Sequence, residues 1–406
     1  MKKQPISQAE ERRAFIKKLS LLGLSGAAVP LLAEGAEASE ADGASNEVIA
    51  GPYLQNVKSN EATIVWITRG NAYSWVEYGT GKYFHLKQFA YNNGLKVANN
   101  RINKITLTDL TPNSNYLYRI VSQEIINISG SRFDLGESNI SAGFSFRTPA
   151  PDDKEFKMVV LNDIHERKHT IPQLLYKYGY EGNSRDFDLV VYNGDMFDNV
   201  NNEEQLLDKF VLPSVEVFAS EVPFLFVQGN HEVRGAFARQ ISDYFEFEEK
   251  RFYHAFTRAN ARIIVLDAGE DKADDNWEYA GLVAFDQYRE KQAEWLKEEL
   301  QSPECKNARF RIVLIHISPW HSGDWHGTMH CRKLFGPLLN DGNIDLQISG
   351  HTHSHGYYPA DNDHNFPIII GGGPQEGRRT VIKVAVSPNQ LKAKMLTDSG
   401  EVVAEI

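Results

Sequence analysis

Cysteine is scarce: Cys305 and Cys331 are the only two in 406 residues. One disulfide at most is possible, so no cross-linked scaffold replaces a hydrophobic core. No C-x-x-C pair occurs, which excludes zinc sites built on that spacing. Cationic residues are also in deficit, with 43 Lys plus Arg against 54 Asp plus Glu and a formal net charge of −11. Nucleic acid is therefore not expected as a partner, because affinity for that polyanion rests on cationic contacts to phosphate. A small phosphate ester stays open, since bound metal ions can supply local positive charge. The mostly apolar run from Leu19 to Leu32 is interrupted by Pro30 and glycines. It falls short of the roughly 20 residues that a bilayer span needs. What is present is an ordinary globular composition, 42% hydrophobic and 24% charged. At this length two domains are expected.

The apolar run follows Arg12-Arg13-Ala14-Phe15-Ile16-Lys17-Lys18 and leads to small residues around Ala36-Glu37-Ala38. A basic segment, a short apolar core and a small-residue site make the pattern of an export signal. The paired arginines followed by Phe resemble the twin-arginine type. Residues 1–38 thus read as a signal peptide, with the twin-arginine translocase as partner during export. The mature chain is expected to have no stable membrane span and a periplasmic or secreted location. Residues 39–47 read as a small, acidic linker.

From 48 to 149 the pattern is of short strands between turn signals, as in Thr63-Ile64-Val65-Trp66-Ile67 and Ser74-Trp75-Val76-Glu77-Tyr78. The turn Leu110-Thr111-Pro112-Asn113 leads into a strand carrying Tyr116, which resembles a fibronectin type III-like sandwich. Trp66 and Tyr116 are then core and corner residues. Pro149-Ala150-Pro151-Asp152-Asp153 is a stiff linker, and the pattern changes after it. In 154–406, apolar runs of strand length end abruptly in polar residues. Met158–Leu161 runs into Asn162-Asp163, Leu189–Tyr192 into Asn193-Gly194-Asp195, and Phe224–Val227 into Gly229-Asn230-His231. Ile312–Ile315 runs into His316, and Leu346–Ser349 into Gly350-His351. Continuous apolar runs of this length suit strands buried on both faces. A helix is expected over 287–300, where Tyr288, Trp295, Leu296 and Leu300 share a face, and closing strands over 367–370 and 381–396. This is an α/β domain with helices outside the sheets and reactive groups at strand C-terminal ends.

Taken singly, each polar residue has an ordinary structural reading: Asp163 or Asp195 as a turn residue, His165 as a loop histidine. Five strand ends bearing such residues in one domain point to a joint role. Imidazole nitrogens mixed with carboxylate oxygens suit Zn, Mn or Fe, whereas an all-oxygen set would suit Mg or Ca. Spacings of i and i+2, as in Asp163/His165 and His351/His353, put both side chains on one side of an extended segment. Gly194, Gly229 and Gly350 permit close approach of the strand ends.

The ordered set D-x-H, G-D-x-x-D, G-N-H-E, H and G-H-x-H resembles the calcineurin-like metallophosphoesterases across roughly 155–373. With the sandwich ahead of it, the layout resembles the purple acid phosphatase branch. That resemblance implies a four-layer α/β/β/α domain and two divalent or trivalent metal ions, with Fe, Mn or Zn as candidates. One ion would be held by Asp163, His165, Asp195 and His353. The other would be held by Asp195, Asn230, His316 and His351, with Asp195 as the bridge. It implies hydrolysis of phosphate monoesters by a metal-activated hydroxide, with His231 neutralising or protonating the leaving group. A diesterase or nucleotide hydrolase on the same core is the alternative, and a non-catalytic phosphate binder a further one.

One departure stands out. The purple enzymes carry a Tyr three residues after the bridging Asp, and here that position is Asp198, while His165 supplies a histidine they usually lack. No purple chromophore is expected. His326 and His321, in the loop after His316, are candidates for contact with the small phosphorylated substrate. Arg234, His254 and His355 are weaker pocket candidates, and His85, His169 and His364 read as ordinary histidines. Glu232 is expected to orient its neighbours through hydrogen bonds.

Overall fold

The computed structural model describes residues 44–247 and 250–406. The expected export signal and most of the expected linker lie outside the described residues. Among the described residues, no helix is long and apolar enough to cross a membrane.

The first part is all β. Its main strands are β1 (Val48–Gln55), β2 (Ala62–Thr80), β3 (Leu86–Gln88), β4 (Ala98–Leu107), β5 (Asn115–Ser129), β6 (Arg132–Ile140) and β7 (Phe144–Arg147). Residues 63–68 of β2 pair with β1 and residues 72–80 with β5, while β4 pairs with 62–67 and again with 72–73. β2 therefore exchanges β1 for β5 across an irregular stretch between Ile67 and Ala72. Inward residues of these strands form a separate apolar core around Trp66, Tyr118 and Phe146. The Trp66 indole is fully buried and donates to Ser122 Oγ at 2.9 Å, which satisfies its one polar atom. Tyr53 and Tyr118 reach across to donate to the backbone oxygens of Tyr244 and Ser220, at 2.6 and 2.7 Å.

Two six-stranded sheets follow. In the first, β8 (Phe156–Leu161), β9 (Leu189–Asn193) and β10 (Phe224–Val227) run parallel. In the second, β11 (His254–Arg258) leads into the parallel strands β12 (Ala261–Leu266), β13 (Phe310–Ile315), β14 (Leu346–Ser349) and β16 (Ile368–Ile370), with β15 (Gly356–Tyr358) at the far edge. β17 (Thr380–Val386), β18 (Leu391–Thr397) and β19 (Val402–Glu405) return antiparallel to complete the first sheet beside β8.

Alternation along each strand builds the layers. Met158, Val160, Leu189 and Val191 meet Ile263, Val265, Ile312 and Leu314 between the sheets. Their neighbours Val159, Leu161, Val190 and Tyr192 face outward onto α1 (Thr170–Tyr178) and the helical stretch after Glu203. Ile264, Leu266, Val313 and Ile315 face α2 (Phe285–Gln301) and α3 (His326–Asp341). The order is helix, sheet, sheet, helix. α2 begins two residues earlier than its periodicity suggests, because the Asp274 carboxylate accepts from the free amides of Phe285 and Asp286, both at 2.9 Å. Cys305 and Cys331 are both buried and unpaired.

Candidate metal centre

The C-terminal ends of β8, β9, β10, β13 and β14 meet where the two sheets abut. Asp163 N donates to Gly194 O at 3.0 Å, and Gly350 N to His316 O at 2.9 Å. Asn193 Nδ2 crosses between sheets to Ile348 O at 3.2 Å. Residues Asp163, His165, Glu166, Asp195, His351 and His353 all adopt positive φ, between 47° and 74°. Each costs a non-glycine residue roughly 1–2 kcal/mol. That concentration of strain is characteristic of a functional site whose geometry the surrounding fold imposes. At Gly194, with φ +87°, a β-carbon would run into the His316 ring, so the close approach of these two strand ends needs glycine there.

Two groups of ligand-type atoms result, and they share Asp195. Asp163, His165, Asp195 and His353 form one, and Asp195, His316 and His351 the other. His353 Nε2 lies 3.3 Å from Asp163 Oδ1 and 2.9 Å from His165 Nε2. His316 Nε2 lies 3.0 Å from Asp195 Oδ2, and His165 Nε2 approaches the same oxygen at 3.8 Å. Asn230 Oδ1 sits 3.0 Å from His351 Nδ1, which brings the amide to the second group. All seven residues singled out as ligands in the sequence are thus brought together.

The donor set fits metal ions. With His316 neutral, Asp163 Oδ1, Asp195 Oδ2 and His316 Nε2 are buried and have no hydrogen-bond partner, each a loss of about 1–3 kcal/mol unless something else engages it. The other polar atom of each of these three side chains is engaged by the protein. His316 Nδ1–H donates to Asn193 O at 2.8 Å, which fixes the tautomer and leaves Nε2 facing Asp195. Asp163 Oδ2 accepts from Asn162 Nδ2 at 2.5 Å and from His351 N at 3.0 Å. Burial opposes ionisation of Asp163 and Asp195. Histidine neighbours outweigh it, holding Asp163 far below the ordinary carboxylate range and Asp195 at about 2. Burial would likewise lower His316, but the Asp195 carboxylate pushes it up to about 10. The site is prepared for cations, and protonation of His316 would offset only part of the negative charge of its two carboxylates.

Glu232 is fully buried and accepts three backbone N–H groups: Asp195 at 2.9 Å, Met196 at 2.7 Å and Gly229 at 2.8 Å. It ties the Gly194-Asp195 loop to the Gly229-Asn230 loop, the orienting task expected of it. Burial and the Asp195 charge push its carboxyl up to about 7. Three donors aimed at its two oxygens nonetheless favour the carboxylate form.

Residues 156–355 match the family model of the calcineurin-like phosphoesterases. This α/β domain is a calcineurin-like metallophosphoesterase. Purple acid phosphatase 22 of Arabidopsis thaliana is 25% identical to the metallophosphoesterase over 361 residues, spanning 80% of this chain and 72% of its own. Purple acid phosphatase 21 of the same plant is 25% identical over 350 residues, spanning 78% and 70%. In fold, the metallophosphoesterase is similar to the purple acid phosphatase PPD1 from yellow lupin (Lupinus luteus) seeds, with a TM-score of 0.67 at 16% identity over 89% of this chain and 74% of that one. The structure of PhoD is also similar, with a TM-score of 0.58 at 12% identity over 87% and 91%. The metallophosphoesterase resembles the purple acid phosphatase branch and is a metal-dependent phosphoric ester hydrolase, with candidate ligand groups for divalent or trivalent ions.

Around this centre some residues differ from expectation. Asp198 accepts from His165 Nδ1–H at 2.8 Å, so the two positions that depart from the purple pattern touch each other. His231 Nδ1–H donates to Asp198 O at 2.7 Å, and its Nε2 accepts from Arg234 Nη1 at 3.1 Å. Arg234 is held in turn by the buried carboxylate of Glu270, with Nε at 2.7 Å, and Tyr279 donates to the same carboxylate. Arg234 therefore stands beside the candidate acid, which makes it a stronger pocket candidate than its sequence context suggests.

His326 and His321 have partners elsewhere. His326 sits at the start of α3 and bonds Asp286 at 2.8 Å. His321 Nε2 lies 2.8 Å from His364 Nε2 while its ring stacks on Tyr358. The chain after His316 turns back over the outer face of the second sheet, where Ser318 Oγ accepts from Gln347 Nε2 at 2.8 Å. Both histidines thus belong to ligand-type groups other than the two that share Asp195.

Replacing Asp198 by Ala is expected to weaken the ion beside His165 by 10–100-fold, the usual effect of removing a histidine's outer carboxylate. Competition against a chelator of known affinity measures it, and an unchanged affinity would remove Asp198 from the site.

Proposed function

We propose that the protein is an exported dinuclear-metal phosphoesterase that hydrolyses phosphate monoesters. The observation that carries this reading is the sharing of Asp195 by two ligand groups. Asp163, His165, Asp195 and His353 would hold one ion, and Asp195, Asn230, His316 and His351 the other. Bound there, such ions supply Lewis acidity and an activated water. The chain's own residues position the rest. With Nδ1–H anchored on Asp198 O, Nε2 is the atom of His231 that can take up a proton and pass it to the leaving oxygen, giving up the bond it accepts from Arg234 Nη1 to do so. Arg234, oriented by Glu270, brings a fixed positive charge beside it for the phosphoryl group. Glu232 keeps Asp195 and Asn230 in register while charge moves.

Export is proposed on Arg12-Arg13 and the apolar run after it, which also supports a periplasmic or secreted location. A fibronectin type III-like sandwich over 48–149 is supported by the buried Trp66 and by Tyr116, whose hydroxyl accepts from Thr111 N at 2.8 Å in the manner of a tyrosine corner. The catalytic part, 154–406, follows it.

Metal analysis of purified protein with parallel assays on aryl phosphate mono- and diesters tests the reading. Two ions per chain with faster cleavage of the monoester are expected, and no strong visible band from iron-loaded protein. Preference for the diester would move the assignment to the alternative activity. Metal-replete protein that cleaves neither ester would sink it.

A further inference from the structure

We propose that His321, Asp361 and His364 form a third cation site, separate from the Asp195 centre, that takes a borderline divalent ion of the zinc type. His364 is fully buried, and its Nδ1–H donates to Phe366 O at 2.8 Å. That bond fixes the tautomer and leaves the lone pair on Nε2, the arrangement a metal-bound histidine shows. His321 Nε2 faces this lone pair at 2.8 Å, and Asp361 Oδ2 lies 3.5 Å from it. The second Asp361 oxygen is anchored, since Oδ1 accepts from the amides of Asp363 at 2.8 Å and His364 at 3.0 Å. Oδ2 is thereby pointed at the two imidazoles.

Size and type both fit. Zinc–nitrogen bonds of about 2.0–2.1 Å in a tetrahedron set ligand atoms roughly 3.3 Å apart. The Asp361–His364 separation already matches that spacing. The histidine pair would open by about half an ångström, and His321, exposed in a loop at φ 62°, is free to give it. Two imidazoles and one carboxylate leave the fourth position to water, on the exposed side where His321 and Asp361 meet solvent. An ion here would clip the loop after His316 to the connection between β15 and β16.

The other cluster outside the centre, Asp286 with His326 and His330, is less suited. Arg289, fully buried, donates to Asp286 Oδ1 at 2.9 Å and places a positive charge where the ion would sit.

The test compares zinc content and melting temperature of wild type, His321→Gln and Asp361→Asn after zinc loading and desalting. Asn keeps the Oδ1 anchor, so the loop retains its turn while the charge is lost. Wild type is expected to hold one more zinc per chain than either variant, and to gain more in melting temperature on zinc addition. In excess chelator all three are expected to melt together, which separates a lost ligand from a damaged fold. Counting the difference between proteins makes the result independent of how many ions the Asp195 centre binds. Equal zinc content in all three overturns the proposal. So does an extra equivalent that survives both substitutions and disappears with His326→Gln.

Discussion

Asp195→Asn is expected to lower turnover of an aryl phosphate by about 10³-fold or more and to reduce the bound metal below two ions per chain. Asp195 Oδ1 accepts from His231 N at 3.0 Å, and an Asn side chain can still provide that acceptor. Its Oδ2 faces His316 at 3.0 Å and His165 at 3.8 Å, between the two ligand groups. There the substitution replaces an anionic oxygen by an NH₂ carrying protons toward the space the ions would fill. A bound ion contributes several kcal/mol to transition-state charge, and about 4 kcal/mol corresponds to roughly 10³ in rate. Elemental analysis together with circular dichroism separates loss of metal from loss of fold. A variant that keeps both ions and stays within tenfold of wild type would refute the bridging role.

The second large effect is on stability. Glu232→Ala strips the acceptor from three buried amides, those of Asp195, Met196 and Gly229. An unsatisfied buried donor costs about 1–3 kcal/mol, and water entering the vacated space offsets part of it, so a net loss of about 4 kcal/mol is expected. Glu232→Gln should fall between, because its oxygen can accept while its NH₂ confronts a donor. Denaturant midpoints in excess chelator give the numbers without any contribution from bound ions. Should the Ala variant unfold within about 1 kcal/mol of wild type, the two loops are held together by something other than Glu232.

Much of the centre was legible without coordinates, for a local reason. Each ligand lies within a few residues of an apolar run, and such a run names both the strand and the end at which its polar residues emerge. Asp163, Asp195, Asn230, His316 and His351 are of this kind. Gly194 was legible too, since a glycine next to a ligand signals a backbone bend. The start of α2 was not, because its cap is Asp274, eleven residues upstream of Phe285.

Residue types and spacing by themselves determined an α/β domain with helices outside the sheets and reactive groups at strand C-terminal ends, and the motif order, through its resemblance to the calcineurin-like metallophosphoesterases, supplied the seven metal-ligand candidates. Only the tertiary structure decided who meets whom at long range. It set Asp198 against His165, so the departure from the purple pattern is one interacting pair instead of two independent changes. It put Arg234 beside His231, His321 against His364 and His326 against Asp286. His364, which reads as an ordinary histidine, meets His321 because the chain after β13 turns back over the outer face of the second sheet toward the connection that enters β16. A periodicity reports on backbone a few residues away, whereas a histidine's partner is set by sheet order across the whole chain.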